Sequence, residues 1–499
     1  MTLTSSLSLL KTEGARRFIT QRHRMRIGAE WTGAVSGKSL DVTDPATGQL
    51  LARVPAGDEA DVDRAVRAAR DALEGPWSKM TGLERGKLIT RFALRLEELA
   101  DELAEIEAID CGKPVGYAKQ IDVGLSANTY HYMAGWASKV NGETVNVSTP
   151  GDFLAYTTRE PVGVVAQIVP WNFPLVLTAY KLAPALATGC VAIIKPAEMT
   201  PLSTLRLAQI AEEVGFPPGV VNVVTGLGAK AGAALAEHPG VDKVAFTGST
   251  GVGKMVARSA IESVKRITLE LGGKSPMVVL PDADLSKAIP GLASAIFFHQ
   301  GQVCTAGSRL FVHKSIYNEV LDGIAAEAGK LKVGNGLNAE TTMGPLVSSL
   351  QLERVMGYVE QGRKAGADVV IGGSTIGSEG YFMQPTILAN TTPDMSVVRE
   401  EIFGPVLCAA SFGDEDLDRV AAQANDSSFG LSASIWTNNL SAAHKLAKSI
   451  QAGSVWINMH HFFDPGMPFG GYKQSGWGRE QGEEAIRAFT EVKSVVAAL

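Results

Sequence analysis

Residues 243–273 read KVAFTGSTGVGKMVARSAIESVKRITLELGG: a β-branched run, a helix-length amphipathic segment and a second apolar run. Similar apolar runs lie upstream at 162–169, 190–195 and 220–226, again separated by segments long enough for a helix. Strands joined through helices pair in parallel, because each helix returns the chain to the end of the sheet where the strand began. The sequence therefore predicts an α/β fold with a parallel sheet covered on both faces.

The same stretch contains the spacing of a phosphate-cradling loop, G-x-x-x-x-G-K, at Gly248, Gly253 and Lys254. In a nucleotide triphosphatase the next residue is Ser or Thr, whose hydroxyl binds Mg²⁺. Here that position is Met255, and a thioether has no affinity for a hard cation. Two interpretations are open: a P-loop-like nucleotide-binding protein, or a strand-to-helix turn that binds the phosphates of another cofactor.

A second alternation of apolar and helix-length segments begins after Gly273 and predicts a second α/β domain. Its strand candidates are the runs at 275–280, 308–313, 368–373, 385–390, 406–412 and 432–437. Residues 145–160 and the terminal KSVVAAL fit neither alternation and are typical of exposed strands. Because partner chains tend to cover long exposed strand edges, we expect a homo-oligomer.

Length, charge and cysteine content exclude several classes of protein. A chain of 499 residues suggests two or three domains, and a net charge of −6 without a basic block argues against a nucleic-acid partner. Its four cysteines lie far apart and lack C-x-x-C spacing, so neither a disulfide framework nor a metal site is indicated. This cysteine usage fits a reducing cytoplasm. The first twenty residues lack the order of a secretory signal and are expected to form a soluble tail.

One apolar region, residues 162–194, carries a single charge at Lys181 and has the length of a membrane span. Pro170, Pro174 and Pro184 interrupt it, and its polar side chains would need partners in lipid. We therefore expect a buried strand, turn, helix and second strand, and no membrane association.

Three residues in separate motifs have side chains suited to catalysis. Cys304 lies in the turn-rich stretch FFHQGQVCTAGSR, where a reactive thiol and a buried structural cysteine are both reasonable. Glu270 ends an apolar strand, where burial raises a carboxyl pKa toward that of a general base; a salt-bridged glutamate is the alternative. Asn172 lies between two prolines after a strand. Its side chain could donate to an oxyanion, or it could be an ordinary turn residue.

Other polar residues follow strands in the manner of a cofactor site. Lys195 ends the run 190–195, and Glu198 lies three residues further on. A carboxylate near a ribose accepts bonds from its hydroxyls and repels a 2′-phosphate, which favours NAD over NADP. Taken singly, each is also compatible with an ordinary surface charge.

Together these motifs resemble the aldehyde dehydrogenase family from about residue 25 to the end. The segments PWNFP, IIKPAE, FTGST, LELGGKSP, GQVCTAGSR, EEIFGPV and PFGGYKQSGWGRE occur in the family's order and spacing. The resemblance favours the cofactor-binding turn over the P-loop. It implies two Rossmann-type parallel-sheet domains and a small β oligomerisation flap, in a homo-oligomer that is a dimer or a tetramer, with the tetramer favoured. The implied parts are an NAD-binding domain (20–144 and 161–273), a catalytic domain (274–483) and oligomerisation segments (145–160 and 484–499).

The resemblance also implies roles for individual residues. Cys304 is the expected nucleophile, Asn172 the oxyanion donor and Glu270 the base that activates water, so the expected product is a free carboxylic acid. Lys181 and Glu480 match positions of a proton relay. The residues that match the NAD site are Trp171, Lys195, Glu198, Gly248, Ser249, Glu401 and Phe403.

The family's substrate tunnel corresponds to six residues of this chain: Phe173, Tyr180, Phe298, Val303, Phe463 and Phe469. So many rings predict an apolar or aromatic aldehyde, although the same rings also suit simple packing between domains. The tail and tunnel are most similar to family members that oxidise phenylacetaldehyde. The alternatives are betaine aldehyde and a broad range of aliphatic aldehydes. Relatives that oxidise betaine aldehyde usually hold its cation with tryptophans where this chain has Tyr180 and Phe469.

Overall fold

The computed structural model describes residues 4–414 and 416–499. Its strands are β1 (Met25–Ile27), β2 (Glu30–Thr32), β3 (Ser39–Thr43), β4 (Leu50–Pro55), β5 (Phe153–Pro161), β6 (Val164–Ile168), β7 (Val191–Lys195), β8 (Val221–Val223), β9 (Lys243–Thr247), β10 (Arg266–Glu270), β11 (Pro276–Val279), β12 (Arg309–His313), β13 (Asp368–Ile371), β14 (Thr386–Ala389), β15 (Val406–Phe412), β16 (Phe429–Gly430), β17 (Ser432–Trp436), β18 (Ser454–Ile457), β19 (Tyr472–Lys473), β20 (Gly476–Trp477) and β21 (Thr490–Ala498).

Its α-helices are α1 (Glu13–Thr20), α2 (Glu59–Glu74), α3 (Pro76–Lys79), α4 (Gly82–Glu98), α5 (Ala100–Cys111), α6 (Val115–Tyr117), α7 (Gly124–Trp136), α8 (Pro174–Thr188), α9 (Leu202–Val214), α10 (Ala233–Glu237), α11 (Thr250–Ile261), α12 (Leu285–Phe297), α13 (Tyr317–Ala328), α14 (Ser349–Lys364), α15 (Ser396–Arg399), α16 (Leu417–Asn425), α17 (Leu440–Ser449) and α18 (Gly482–Ala488). A π-helical segment, Ala118–Val123, joins α6 to α7, and a 3₁₀ turn, Phe298–Gly301, follows α12.

The first large sheet has the strand order β2-β1-β8-β7-β6-β9-β10-β20, and its five central strands are parallel. From β6 the chain proceeds outward through β7 to β8, and then crosses to the other side of β6 to form β9 and β10. The strand order therefore reverses between β6 and β9. In open α/β sheets, ligands bind beyond the carboxyl ends of the strands at such a reversal.

The second large sheet has the order β13-β14-β15-β12-β11-β17-β18, with only its edge strand β13 antiparallel. All the strand candidates between 162 and 273 lie in the first sheet, and all those between 275 and 437 lie in the second. Strand β18 was not predicted, although helix α17 separates it from β17 in the same alternation. The α/β class is confirmed, while the exact domain boundaries stay a prediction.

The two segments expected to be exposed strands pair with each other. Strands β5 and β21 form an antiparallel two-stranded sheet from Phe153↔Ala498 to Pro161↔Thr490. Leu154, Val492 and Val496 present exposed apolar side chains on it. Residues 484–488, within the predicted oligomerisation segment 484–499, form part of helix α18, whose Ala485 and Ile486 are buried in the first core.

Two further parts of the chain differ from expectation. Strand β20, inside the range predicted as catalytic domain, pairs with β10 of the first sheet; Gly476 permits this approach, since a Cβ there would lie 2.1 Å from the carbonyl oxygen of Leu269. The expected N-terminal tail folds as α1, because Phe18 and Ile19 share a face that is buried in the first core.

Residues 162–194 contain β6, a loop, α8 and β7, as the sequence predicts. Every side chain of α8 is buried within the protein. Within residues 4–414 and 416–499, the structure has no helix with the length and apolar character needed to span a bilayer.

Candidate active site

The carboxyl ends of the parallel strands in the first sheet bring together most of the predicted polar site residues. Asn172 lies in the loop after β6, Lys195 ends β7, Ser249 follows β9, and Glu270 ends β10. Their proximity results from topology, because parallel strands direct all their following loops to one edge of the sheet.

Cys304 lies in a tight turn between the 3₁₀ segment and β12, where the N–H of Ala306 donates to the carbonyl of Val303 over 2.9 Å. Its side chain is half-buried, whereas the other three cysteines are fully buried and unbonded to one another. Burial, reinforced by the negative charges of Glu401 and Glu270, raises the pKa of the Cys304 thiol to about 12. The thiol is therefore protonated in this state at neutral pH, because burial and nearby negative charge both disfavour the thiolate.

The side chain of Asn172 is buried and fixed in direction. Its amide nitrogen donates to the carbonyl oxygen of Gln302 over 2.9 Å, and its backbone carbonyl accepts from His299 Nε2 over 2.7 Å. An amide group carries two N–H donors, so one remains for a further acceptor beside Cys304. The local sequence supports this geometry, because Pro174 starts α8 directly after the loop.

Glu270 is a buried carboxylate without a hydrogen-bond partner on either oxygen among the described residues. Burial, together with the charge of Glu480, raises its pKa well above the ordinary value for a glutamate. Gly470 leaves room beside it, since a Cβ there would lie 2.7 Å from Glu270 Oε1. The carboxyl group thus has open acceptor positions and an affinity for protons, which are the properties of a general base.

Lys181 and Glu480, from α8 and the loop after β20, form a fully buried ion pair of 2.6 Å. Lys181 Nζ also donates to the hydroxyl of Thr247 over 2.5 Å, and Glu480 Oε2 has no partner among the described residues. Glu480 pairs through its backbone with Phe469, and the adjacent Gly470 lies against the carboxyl of Glu270, so the pair and the predicted base are neighbours. The structure therefore brings the five predicted catalytic residues to one region.

The predicted cofactor residues surround the same edge of the first sheet. Lys195 Nζ is buried and binds the half-exposed carboxylate of Glu198 at 3.0 Å. Ser249 is the N-cap of α11, and its hydroxyl accepts from the N–H of Val252. The start of a twelve-residue helix presents unpaired N–H groups and the positive end of the helix dipole, which suits phosphate oxygens.

Lys254 does not face the turn in the manner of a P-loop lysine. It lies within α11, where its Nζ donates to Gln474 Oε1 over 2.8 Å, and the adjacent Met255 is exposed. Gly248 packs against the ring of Phe246, which a Cβ would approach to 2.6 Å. These contacts favour the strand-to-helix turn over the nucleotide triphosphatase loop.

The remaining cofactor candidates come from both sheets: Glu401 and Phe403 lie in the loop before β15, and Trp171 lies in the loop after β6. Glu401 Oε1 accepts from the N–H of Gly273 over 2.8 Å, and burial raises the pKa of Glu401 to about 7. The ring of Phe403 packs edge-on against Trp171, with 5.2 Å between the centroids. Phe403 adopts a φ of 61°, so its side chain position depends on a left-handed backbone that costs a bulky residue free energy.

A cavity of about 490 Å³ opens beside Cys304 and contains all six predicted substrate residues in its wall. Neighbouring rings contact one another around it, with Phe298 beside Phe173, Phe463 beside Phe469, and Phe469 beside Tyr180 at centroid distances from 6.0 to 6.5 Å. Aspartate, glutamate, lysine and arginine are all missing from this wall among the residues that the structure describes. The cavity is therefore shaped for an uncharged, apolar or aromatic molecule.

Other wall residues carried no recognised signal in the sequence: Tyr117, Gln120, Ile121, Leu125, Asn128 and His460. The π-helical segment brings Gln120 and Ile121 into the wall, and its short irregular turn has no helical periodicity to detect. Behind Phe173 lies a fully buried ion pair of Lys113 and Asp122 at 2.5 Å, with Lys113 Nζ 3.8 Å from the ring centroid. Sequence spacing alone does not distinguish this buried pair from an ordinary surface ion pair, because the two residues are nine positions apart and their burial depends on the tertiary fold.

Comparisons with known proteins agree with this architecture. The model of the aldehyde dehydrogenase family matches residues 31–495. Phenylacetaldehyde dehydrogenase of Pseudomonas fluorescens is 47% identical over 503 residues, covering 99% of each chain. An NAD⁺ complex of aldehyde dehydrogenase from Bacillus cereus superposes with a TM-score of 0.96 at 48% identity, covering 98% of this chain and 99% of that one. A betaine aldehyde dehydrogenase of Staphylococcus aureus, solved with NAD⁺, superposes with a TM-score of 0.94 at 36% identity, covering 98% and 97%.

The fold and these likenesses define the class of the protein as an α/β oxidoreductase. The chain belongs to the aldehyde dehydrogenase family. The family and its solved relatives support NAD-dependent oxidation of a small aldehyde as its activity.

Proposed function

We propose that this enzyme oxidises an arylacetaldehyde such as phenylacetaldehyde to its carboxylic acid, with NAD⁺ as the oxidant and Cys304 as the nucleophile. The observation that carries the proposal is the position of Cys304 in the wall of a ring-lined cavity whose described residues include no charged side chain. An aromatic ring fits against such walls by edge and face contacts, and each ring contact adds to the area removed from water.

The residues at the edge of the first sheet fit NAD⁺. The helix N-terminus at Ser249 offers N–H donors for the pyrophosphate, and the half-exposed Glu198 offers a carboxylate to ribose hydroxyls beside Lys195. Glu401, Phe403 and Trp171 lie toward Cys304 and suit the nicotinamide end. A carboxylate at Glu198 also repels a 2′-phosphate, which supports NAD⁺ in preference to NADP⁺.

Cys304 reacts as the thiolate, after its thiol proton has been released to solvent water, and its Sγ forms a bond to the carbonyl carbon of the aldehyde. The electron pair of the carbonyl bond moves to oxygen, which accepts hydrogen bonds from the Asn172 amide and the Cys304 backbone N–H. Donors that are already fixed before the charge develops stabilise it without reorganisation. The bond from Asn172 to Gln302 holds the amide in that direction.

Bound NAD⁺ supplies the acceptor for the hydride that leaves the adduct carbon. The carbonyl then re-forms as a thioester on Cys304, and Glu270 takes a proton from water so that its oxygen attacks this carbon. The Sγ–C bond breaks, the acid is released, and the thiolate is restored. Glu270 passes its proton toward Glu480 and Lys181, whose buried pair adjoins it.

Turnover with a panel of aldehydes tests the proposal. Purified enzyme is assayed by NADH absorbance with phenylacetaldehyde, betaine aldehyde and a long-chain aliphatic aldehyde, with Cys304→Ala as the control. We expect the highest kcat/KM with phenylacetaldehyde and no turnover by the alanine variant. A preference for betaine aldehyde or the aliphatic substrate would overturn the aryl assignment. Acid formation by Cys304→Ala at the parent rate would overturn the mechanism.

We also propose that the enzyme is a cytoplasmic homotetramer. The exposed apolar residues on β5 and β21 support an interface between copies, and the four unpaired cysteines suit a reducing compartment. Sedimentation of the purified protein, compared with a Leu154→Lys and Val496→Lys double variant, tests the assembly. We expect the charged variant to dissociate, and a monomeric parent enzyme would contradict the proposal.

A further inference from the structure

Two adjacent histidines, His460 and His461, lie in the loop after β18 and contact the turn that carries Cys304. Both line the cavity, and neither has a role in the mechanism above. His461 has a φ of 58°, a left-handed backbone conformation that is unfavourable for a residue with a Cβ. Such strain persists where surrounding contacts determine the conformation, so the contacts of the two rings are informative.

The hydrogen bonds of His460 fix its tautomer. Its Nε2 lies 2.8 Å from the carbonyl oxygen of Thr305, which only accepts, so Nε2 carries the proton. Its Nδ1 then accepts from the hydroxyl of Ser434 over 3.0 Å. Ser434 is free to donate, because its oxygen accepts from the indole N–H of Trp436. Both nitrogens of His460 are thus occupied.

The same reasoning applies to His461. Its Nε2 lies 3.1 Å from the carbonyl oxygen of Ala295 and must donate, so its Nδ1 accepts from the hydroxyl of Thr305 over 3.1 Å. The carbonyl of Ala295 also accepts from the N–H of Gly307 over 3.0 Å. His461 therefore binds both Thr305 and the carbonyl that closes the turn after it.

We propose that His460 and His461 are positioning residues for the nucleophile. Together they bind Thr305, the residue after Cys304, in an arrangement that we call the clamp. One ring binds the backbone carbonyl of Thr305 and the other binds its hydroxyl, so rotation of the residue after Cys304 is prevented. This inference rests on the proposed role of Cys304. Within the loop, the N–H of Ala306 donates to Val303 and the N–H of Ser308 donates to Ala306. The hydroxyl of Ser432 also donates to the Thr305 carbonyl over 3.3 Å, so the two histidines act in addition to these contacts.

The clamp also explains why two imidazoles fit an apolar cavity. Every ring nitrogen is bonded to protein, so the histidines present ring carbon to the substrate. His461 stacks on Phe463 at 6.1 Å with an interplanar angle of 23°, and it contacts Phe298 at 5.7 Å. Burial lowers the pKa of both histidines, which keeps them neutral at physiological pH. The pair therefore continues the aromatic wall without adding charge.

Matched substitutions of Thr305 and His460 test the clamp. Thr305→Val removes the hydroxyl that donates to His461 and keeps the shape, whereas Thr305→Ser keeps the hydroxyl. His460→Leu removes the nearer donor to the Thr305 carbonyl and leaves the Ser432 hydroxyl at 3.3 Å, whereas His460→Gln retains a side-chain N–H near the Nε2 position. Two rates are measured in each full-length variant: the first burst of NADH, and alkylation of Cys304 by iodoacetamide without substrate. Cys304 is the half-exposed cysteine and the other three are buried, so alkylation reports on it.

We expect Thr305→Val and His460→Leu to slow both the burst and alkylation by about tenfold to a hundredfold, because a small displacement of a nucleophile has effects of this size. Thr305→Ser and His460→Gln should recover most of each rate, and KM for NAD⁺ should change little. Thermal unfolding midpoints identify any variant that fails to fold; the Ser and Gln variants then remain as the decisive comparison with the parent enzyme.

Three outcomes would overturn the clamp: parental rates in Thr305→Val, equal losses in Thr305→Val and Thr305→Ser, or a change in KM for the aldehyde with unchanged alkylation. The last result would show that the histidines act only as cavity wall. The proposed function fails separately, if Cys304→Ala still forms acid. An inactive Cys304→Ala together with a fully active Thr305→Val would reject the clamp alone.

Discussion

The amide nitrogen of Asn172 and the carbonyl oxygen of Gln302 are 2.9 Å apart, and this hydrogen bond joins the loop after β6 to the chain two residues before Cys304. The two residues come from opposite sides of the junction between the large sheets. One bond therefore sets the position of the proposed oxyanion donor relative to the proposed nucleophile. The rate of the reaction should therefore depend on the Asn172 amide more strongly than it would if Asn172 were only a structural turn residue.

The first prediction concerns Asn172. Asn172→Ala and the isosteric Asn172→Asp should both lower kcat by about a hundredfold to a thousandfold, or roughly 3 kcal/mol in barrier height, because each lacks the N–H donor. Steady-state NADH formation and the burst rate measure the effect. If shape alone matters, the aspartate variant would keep the parent rate while the alanine variant loses it. That pattern would contradict an oxyanion role.

The second prediction separates the two halves of the reaction. Glu270→Gln should keep a first burst of about one NADH per active subunit but lower the steady rate by about a hundredfold or more, since only hydrolysis needs the base. Stopped-flow absorbance with phenylacetaldehyde measures both phases. Loss of the burst would place Glu270 in thiol activation, and an unchanged steady rate would show that another group activates the water.

Most of the fold was predictable because it depends on local patterns. Runs such as 190–195 and 406–412 are continuous and apolar, as strands buried on both faces must be. Asn172 and Glu270 could be proposed as site residues for a related reason: they follow or end such strands, and parallel strands direct their ends to a common edge. Polar residues at those positions are unusual enough to notice.

Other parts of the site depend on tertiary contacts that no local pattern encodes. The clamp joins His460 and His461 to Thr305 across about 155 residues, and only the packed loop brings them together. Likewise, the buried pair of Lys113 and Asp122 has an unremarkable sequence spacing. The family resemblance identified the residues that match known motifs, but the residues that position them are specific to the surrounding packing.

The third prediction concerns cofactor choice. Glu198→Ser should narrow the ratio of kcat/KM for NAD⁺ over NADP⁺ by about tenfold or more, because it removes both an acceptor for ribose hydroxyls and a charge that repels phosphate. The ammonium group of Lys195 would lose the carboxylate that it binds at 3.0 Å, and its positive charge would become available to a phosphate. Kinetics with each cofactor at saturating aldehyde measure the ratio. A ratio equal to that of the parent enzyme would reject this role for Glu198.

The fourth prediction concerns substrate class. Tyr180 and Phe469 lie with centroids 6.5 Å apart in the cavity wall. Replacing both with tryptophan should raise kcat/KM for betaine aldehyde by about tenfold, because tryptophan attracts a quaternary ammonium more strongly than tyrosine or phenylalanine does. Turnover of phenylacetaldehyde should fall, since larger rings leave less room. Equal changes for both aldehydes would indicate a general packing effect and would not support the assignment of these positions to substrate choice.

The last prediction concerns acid stability and follows from His460. Burial lowers the pKa of His460 from 6.5 to about 4, so the native state holds this ring neutral where an unfolded chain would protonate it. The unfolded state therefore binds more protons between these values, and stability from this group is present above pH 6.5 and is lost as the pH falls toward 4. The full loss amounts to about 3 kcal/mol.

His460→Gln keeps a hydrogen-bonding side chain but cannot be protonated in this range. The variant should melt below the parent enzyme at neutral pH, and the gap between their melting temperatures should narrow as the pH falls toward 4. Scanning calorimetry at one heating rate measures both proteins. His444→Gln, on the exposed face of α17, is the control for the exchange of a histidine for a glutamine. If the gap for His460→Gln stays constant, the imidazole is not held neutral, and the assignment of Nδ1 as the acceptor of the Ser434 hydroxyl would be wrong.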